Sequence, residues 1–113
     1  MNYTIENRDG FVIFKLKNKK LDSQISPKLK AELLILSQPD IRGLILDISD
    51  VEYIDSSGLG AFLLAHRQLK EYDKLITLVG AQDVVKSMIS ISQLTDLFLM
   101  ADSVEEAISM YDE

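Results

Sequence analysis

The six residues Asp55-Ser56-Ser57-Gly58-Leu59-Gly60 gather most of this chain's capacity for chemistry: a carboxylate and two hydroxyls in a row, interleaved with two glycines. They follow the short apolar run Leu44-Ile45-Leu46-Asp47-Ile48 and precede a stretch whose apolar residues recur every three or four positions. That places them between the C-terminal end of a strand and the start of a helix, where α/β folds hold their ligands. The first turn of a helix has unpaired N–H groups carrying about half a positive charge, which would favour a phosphoryl group of roughly two negative charges on Ser56 or Ser57. Gly58 and Gly60 would leave the backbone open to a partner protein or a kinase active site. The same residues also suit a plainer role, with Ser56 or Ser57 as N-cap, Asp55 as favourable charge and the glycines easing packing. A cap needs only one such residue, however, and here there are three.

Other chemistries lack their parts. The single histidine, His66, follows the serines by nine or ten residues on the same helix, roughly 14 Å along its axis, too far to act as their base. Its position on the apolar stripe reads as a boundary histidine satisfied by a neighbour. No G-x-x-x-x-G-K-[ST] or G-x-G-x-x-G pattern is present to cradle a nucleotide. No catalytic residue, metal ligand or cofactor is predicted. Asp22, in the loop before the first helix, either caps that helix or joins Asp55 and a phosphoserine in an acidic patch. Ala61 and Leu64 lie off the main stripe of the second helix, which suits a partner interface or full burial of its first two turns.

The elements that position this turn follow from period and punctuation. Tyr3 and Ile5 alternate with polar residues, Asn7-Arg8-Asp9-Gly10 supplies a hairpin turn, and Phe11 to Leu16 forms the second strand. A first helix starts behind a Ser26 cap with Pro27 in its first turn, presents Leu29, Leu33 and Leu36, and stops before Pro39. Leu44 to Ile48 reads as a central strand buried on both faces. The second helix runs from Ser57 to about Glu71 with Leu59, Phe62, Leu63, His66 and Leu69 on its stripe. Leu75 to Val79 is a strand, Val84, Val85, Met88 and Ile89 belong to a third helix, Leu97 to Met100 is a last strand, and Ser103 to Tyr111 a closing helix with a Ser103/Glu106 capping box. The order ββαβαβαβα predicts an α/β fold, a mixed sheet of about five strands with about four helices packed on it and right-handed crossovers.

Composition narrows the partners. The 113 residues make one domain, 1–113, and 47% apolar content is enough to fold it. A net charge of −6 argues against a nucleic-acid partner. The cluster Lys15, Lys17, Lys19 and Lys20 reads as a solvated strand edge. The chain has no cysteine, hence no disulfide frame. It has no apolar run long enough to enter a bilayer, and its start, Met1-Asn2-Tyr3-Thr4, has no signal core, so a cytoplasmic location is expected.

The run from Leu44-Ile45-Leu46-Asp47 through Ile54-Asp55-Ser56-Ser57-Gly58-Leu59-Gly60 resembles the STAS domain family, in particular the bacterial anti-sigma factor antagonists. The resemblance covers nearly the whole chain, with Leu21-Asp22 similar to the family's second-strand exit and Val84-Val85-Lys86 through Leu94 and Phe98 to its third helix and last strand. Lys19-Lys20 stands where members often carry Gly-Glu, and Gln82-Asp83 where a proline is common. The resemblance implies a STAS-like fold and a partner-switching cycle. An anti-sigma factor that is also a serine kinase binds the unphosphorylated protein, releasing a sigma factor, and phosphorylates Ser56, with Ser57 as the rival position. A PP2C-type phosphatase removes the phosphate. Asp22 and Asp55 would be the acidic neighbours, and Ser57, Gly58, Leu59 and Gly60, with Ala61 and Leu64, the partner contact. The alternative is a constitutive STAS scaffold subunit of a signalling or lipid-transport complex, indifferent to the serine. Small-molecule binding and hydrolysis have no motif to support them.

Overall fold

The computed structural model describes residues 1–112; Glu113, the last residue of the expected 1–113 domain, lies outside them. Strands β1 (Tyr3–Arg8) and β2 (Phe11–Leu16) form the expected antiparallel hairpin. Its turn places Asp9 at φ 54° and Gly10 at φ 86°, the left-handed pair that matches the twist of the flanking strands. After a two-residue strand β3 (Lys20–Leu21) come α1 (Ser26–Leu36), β4 (Gly43–Asp47), a second two-residue strand β5 (Tyr53–Ile54), α2 (Ser56–Glu71), β6 (Ile76–Val79), α3 (Asp83–Ile91), a 3-10 turn Thr95–Leu97, β7 (Leu99–Ala101) and α4 (Val104–Tyr111). The main sheet has the order β1-β2-β4-β6-β7, parallel except for β1, and β3 pairs with β5 in a separate parallel ribbon.

The pleat sends alternate side chains of β2 into two cores. Val12, Phe14 and Leu16 meet Leu29 and Leu33 of α1, Leu59, Phe62 and Leu69 of α2, and Val85 and Ile89 of α3. On the opposite face Phe11 and Ile13 join Ile45, Val79 and Ala101 beneath Ala107 of α4. Three helices thus cover one face and one helix the other. Burial on both sides explains why β2 and β4 read as continuous apolar runs. Gln68 on α2 donates to the carbonyls of Leu34 and Ser37, clamping α2 to the end of α1.

Three sequence expectations need correction. Ser26 is the first residue of α1 and buried, not its cap; Ile25 occupies the cap position without a side-chain bond, and the Ser26 N–H donates to the Asp22 carbonyl at 3.0 Å. Leu97 belongs to a 3-10 turn, so the last strand starts at Leu99, because Leu97 N–H bonds back to the Leu94 carbonyl and leaves the ladder. The ribbon β3–β5 adds two strands to the predicted order; two residues per strand are too few to show a period. The capping box prediction holds at its serine, whose Oγ accepts from the Glu106 N–H at 3.1 Å.

Helix α2 sits on that ribbon through Gly58. A Cβ there would lie 2.6 Å from Leu21 Cγ and 2.8 Å from the Leu21 carbonyl oxygen, whereas one at Gly60 would meet nothing within 4 Å. Gly58→Ala is therefore expected to cost about 1–3 kcal/mol in urea unfolding through overpacking. Gly60→Ala should stabilise by about 0.4–1 kcal/mol, since it removes backbone freedom from the unfolded chain at an unobstructed helical position.

Candidate functional site: the turn at the head of helix α2

The site is built where the ribbon runs into α2. Leu21 and Ile54 are paired in register and buried, and the Asp55 N–H donates to the Leu21 carbonyl at 3.2 Å. Asp55 is extended, with φ −111° and ψ −175°, and serves as the N-cap. Its Oδ1 accepts from the Ser57 N–H at 2.9 Å, the Gly58 N–H at 3.2 Å and the Ser57 hydroxyl at 2.5 Å. Its carbonyl takes the Leu59 N–H at 3.1 Å.

This geometry corrects two expectations. The cap is Asp55, not either serine, because only the residue before the helix has the extended backbone that turns its side chain onto the first-turn amides. Two of those amides, of Ser57 and Gly58, are also already taken by the Asp55 carboxylate and do not stand free for a phosphoryl group. A phosphate on Ser56 would stand beside an ionised carboxylate instead. Hydrogen bonds from the Ser57 hydroxyl, then from the backbone of Gly58 and Ser57, hold the Asp55 carboxyl below the usual carboxylate range, against the opposing effect of desolvation.

The two serines differ in setting. Ser57 is half-buried with its hydroxyl committed to Asp55, whereas Ser56 is exposed and none of the Asp55 bonds involves its hydroxyl. Asp22 follows Leu21 as Asp55 follows Ile54, each one step beyond a registered pair of the ribbon, so the two residues leave the same end of it. The Asp22 carboxylate accepts from the Gln24 N–H at 3.0 Å and makes no side-chain cap on α1.

The predicted partner-contact residues divide. Leu59 and Ala61 are 3% and 0% exposed and belong to the main core, which corrects their assignment to a surface contact. The reason is the helix's seat on the ribbon and sheet, which buries its first two turns along that side. Gly58 is buried as well, and its bareness serves the approach to Leu21 instead of an incoming partner. Gly60 faces open space, and Leu64 is half-buried.

His66 lies on the same unbroken helix, roughly 15 Å along the axis from Ser56. Its neighbour is an aromatic ring, Phe98, approached edge-on with centroids 6.0 Å apart. Burial pushes the imidazole pKa down, helped by the charges of Lys70 and Arg67. Among the described residues no group of three or more His, Cys, Asp or Glu side chains could hold a metal, and no helix is long and apolar enough to cross a membrane.

What sequence reasoning missed is the ribbon itself. Its one signal is a repeated apolar-Asp pair, Leu21-Asp22 and Ile54-Asp55, at the exits of its two strands.

The cap predicts a pH signature. The folded pKa of Asp55 is depressed, so its stabilisation is present above the unfolded carboxylate pKa of about 3.9 and is lost as pH falls through the folded value. Asp55→Ala should melt several degrees below the wild type at neutral pH, and the gap should narrow in acid. Thermal melts followed by circular dichroism from neutral to acid pH check this.

Residues 2–107 match the model of the STAS domain family. The chain is 28% identical over 106 residues to the anti-sigma-B factor antagonist of Staphylococcus aureus (strain NCTC 8325 / PS 47), covering 93% of this chain and 98% of that protein. Its fold superposes on the anti-sigma factor antagonist SpoIIAA in the unphosphorylated form with a TM-score of 0.83 at 21% identity, covering 98% of this chain and 96% of that one. Against the phosphorylated form of the Bacillus protein the TM-score is 0.75 at 22% identity, covering 96% and 98%. The repeated Leu-Asp and Ile-Asp exits, the capped serine turn and the family match over 2–107 lead to one conclusion: this chain belongs to the STAS domain family.

Proposed function

We propose that this protein is an anti-sigma factor antagonist switched by phosphorylation at Ser56. In its unphosphorylated form it binds an anti-sigma factor that is also a serine kinase, and a sigma factor is released. The kinase transfers the γ-phosphoryl group of ATP to Ser56 Oγ, with ADP as leaving group and the hydroxyl proton passing to a base of the kinase. A PP2C-type phosphatase hydrolyses the ester and restores the hydroxyl. The chain itself is substrate and ligand in this cycle and contributes no catalytic group.

The observation that carries the choice of residue is the contrast between the serines: Ser56 is exposed, while Ser57 is half-buried and donates its hydroxyl to Asp55. A kinase needs a hydroxyl it can reach without dismantling a helix cap. The S. aureus relative is named for antagonism of the anti-sigma-B factor, and SpoIIAA exists in phosphorylated and unphosphorylated forms, which supports the same reading. The phosphate would act by bulk and by roughly two added charges beside Asp55 and Asp22, at a contact otherwise closed around a bare hydroxyl. No change of fold is needed.

Tandem mass spectrometry of the protein from its native cells should find a single phosphate, on Ser56. With Ser56→Ala as bait, a serine kinase should be captured; with Ser56→Asp it should be absent. Equal capture by both variants would overturn the switch and favour a constitutive scaffold.

A further inference from the structure

The main sheet ends in two unlike edges. β7 is three residues long and offers little to pair with, whereas β1 has six residues in unbroken register with β2 and contains neither proline nor lysine. Proline, lysine, bulges and shortness are the usual means of keeping an edge unpaired, and β1 has none of them. Its free groups can be named. The two-residue turn Asp9-Gly10 makes Arg8 and Phe11 a hydrogen-bonded pair, and such pairs alternate along a hairpin, so Thr4, Glu6 and Arg8 spend their backbone groups on β2. The Asn2 carbonyl, which accepts from the Lys17 N–H at 2.8 Å, continues that even-numbered series. Tyr3, Ile5 and Asn7 therefore turn their N–H and C=O groups out of the sheet, on the side where β1 has no neighbouring strand.

We infer that this edge pairs with β1 of a second copy of the chain, antiparallel and centred on Ile5. With the two-fold axis there, Ile5 meets Ile5 of the second copy and Tyr3 meets its Asn7. All three outward-facing residues of each strand then find a partner, with about six backbone hydrogen bonds, two per pair. Moving the centre by one residue sets Tyr3 against Asp9 or Asn7 against Met1, both outside the strand. A foreign strand could satisfy the same backbone groups; a second copy is favoured because the outward residues of β1 match themselves about Ile5. Side chains fit this centre too. Ile5 is 41% exposed, so the axis brings together two apolar side chains that water otherwise reaches. On the opposite face Thr4 stands across from Glu6 of the second copy, a hydroxyl donor facing a carboxylate, and each Glu6 arrives already paired with its own Arg8 at 2.7 Å. Charge favours the same surface: the chain as a whole carries −6, so two copies meet most readily where local charge cancels, and β1 holds one acid and one base. The pairing makes one sheet through both copies, in which the two Ser56 turns face opposite ways. It stands independently of the reading of Ser56 above.

Sedimentation velocity and amide hydrogen exchange on the full chain test this. From micromolar to near-millimolar concentration the mass should rise reversibly from 12.7 kDa toward twice that value. Over the same range the amides of Tyr3, Ile5 and Asn7 should gain protection, while those of Thr4, Glu6 and Arg8 stay protected throughout. Ile5→Lys sets two like charges directly opposite each other and should weaken association by about 10-fold or more. Ile91→Lys makes the same change of charge at a side chain 76% exposed on α3 and should leave association as it is. Should Ile5→Lys fail to fold, the exchange pattern of the wild type decides by itself. A monomer at every concentration overturns the inference. So does a dimer in which the Tyr3, Ile5 and Asn7 amides exchange as freely as in dilute solution, or equal weakening by both lysine variants.

Discussion

Asp55 makes the contacts on which the rest of this site depends. Its carboxylate receives the Ser57 and Gly58 N–H groups and the Ser57 hydroxyl, its carbonyl receives the Leu59 N–H, and its own N–H is given to Leu21. One residue thereby starts the helix, ties it to the neighbouring strand and makes the two adjacent serines unlike. A helix end needs its first amides satisfied, and Asp55 does this from within the chain for Ser57 and Gly58.

The scaffold beneath the turn is closely packed. The central strands are buried on both faces, and α2 contributes Leu59, Ala61, Phe62, Ala65 and Leu69 to the main core. Close-packed interiors of this kind resist gradual deformation. The absence of a side chain at Gly58 lets the helix approach the Leu21 backbone, which keeps the turn level with the ribbon. At Gly60, two positions on, a Cβ would meet nothing within 4 Å. Two glycines that look alike in sequence thus serve packing in one case and leave open surface in the other.

The ribbon gives the site its chemical character. Pairing Leu21 with Ile54 brings Asp22 to Asp55 across thirty-odd residues of chain, and pairing Lys20 with Tyr53 places a cation beside an exposed ring.

Much of this was legible in the sequence. The hairpin, the buried strand Gly43–Asp47, the helices and their order follow from apolar periods, glycine and proline punctuation and the Ser103 cap, because these signals act over a few residues and win against tertiary context when they agree. The place of Asp55-Ser56-Ser57-Gly58 at a strand-to-helix turn was likewise visible from residue types and from the change of period around them. Which residue caps, which hydroxyl is free, which glycine is covered and which apolar side chains of α2 are buried were decided only in three dimensions. Each depends on where β3 lies relative to β5, a pairing between two-residue segments about thirty positions apart with no period of their own. Long-range contacts so short leave almost no trace in local sequence, since the free energy that selects them comes from the burial of Leu21 and Ile54 against the rest of the core.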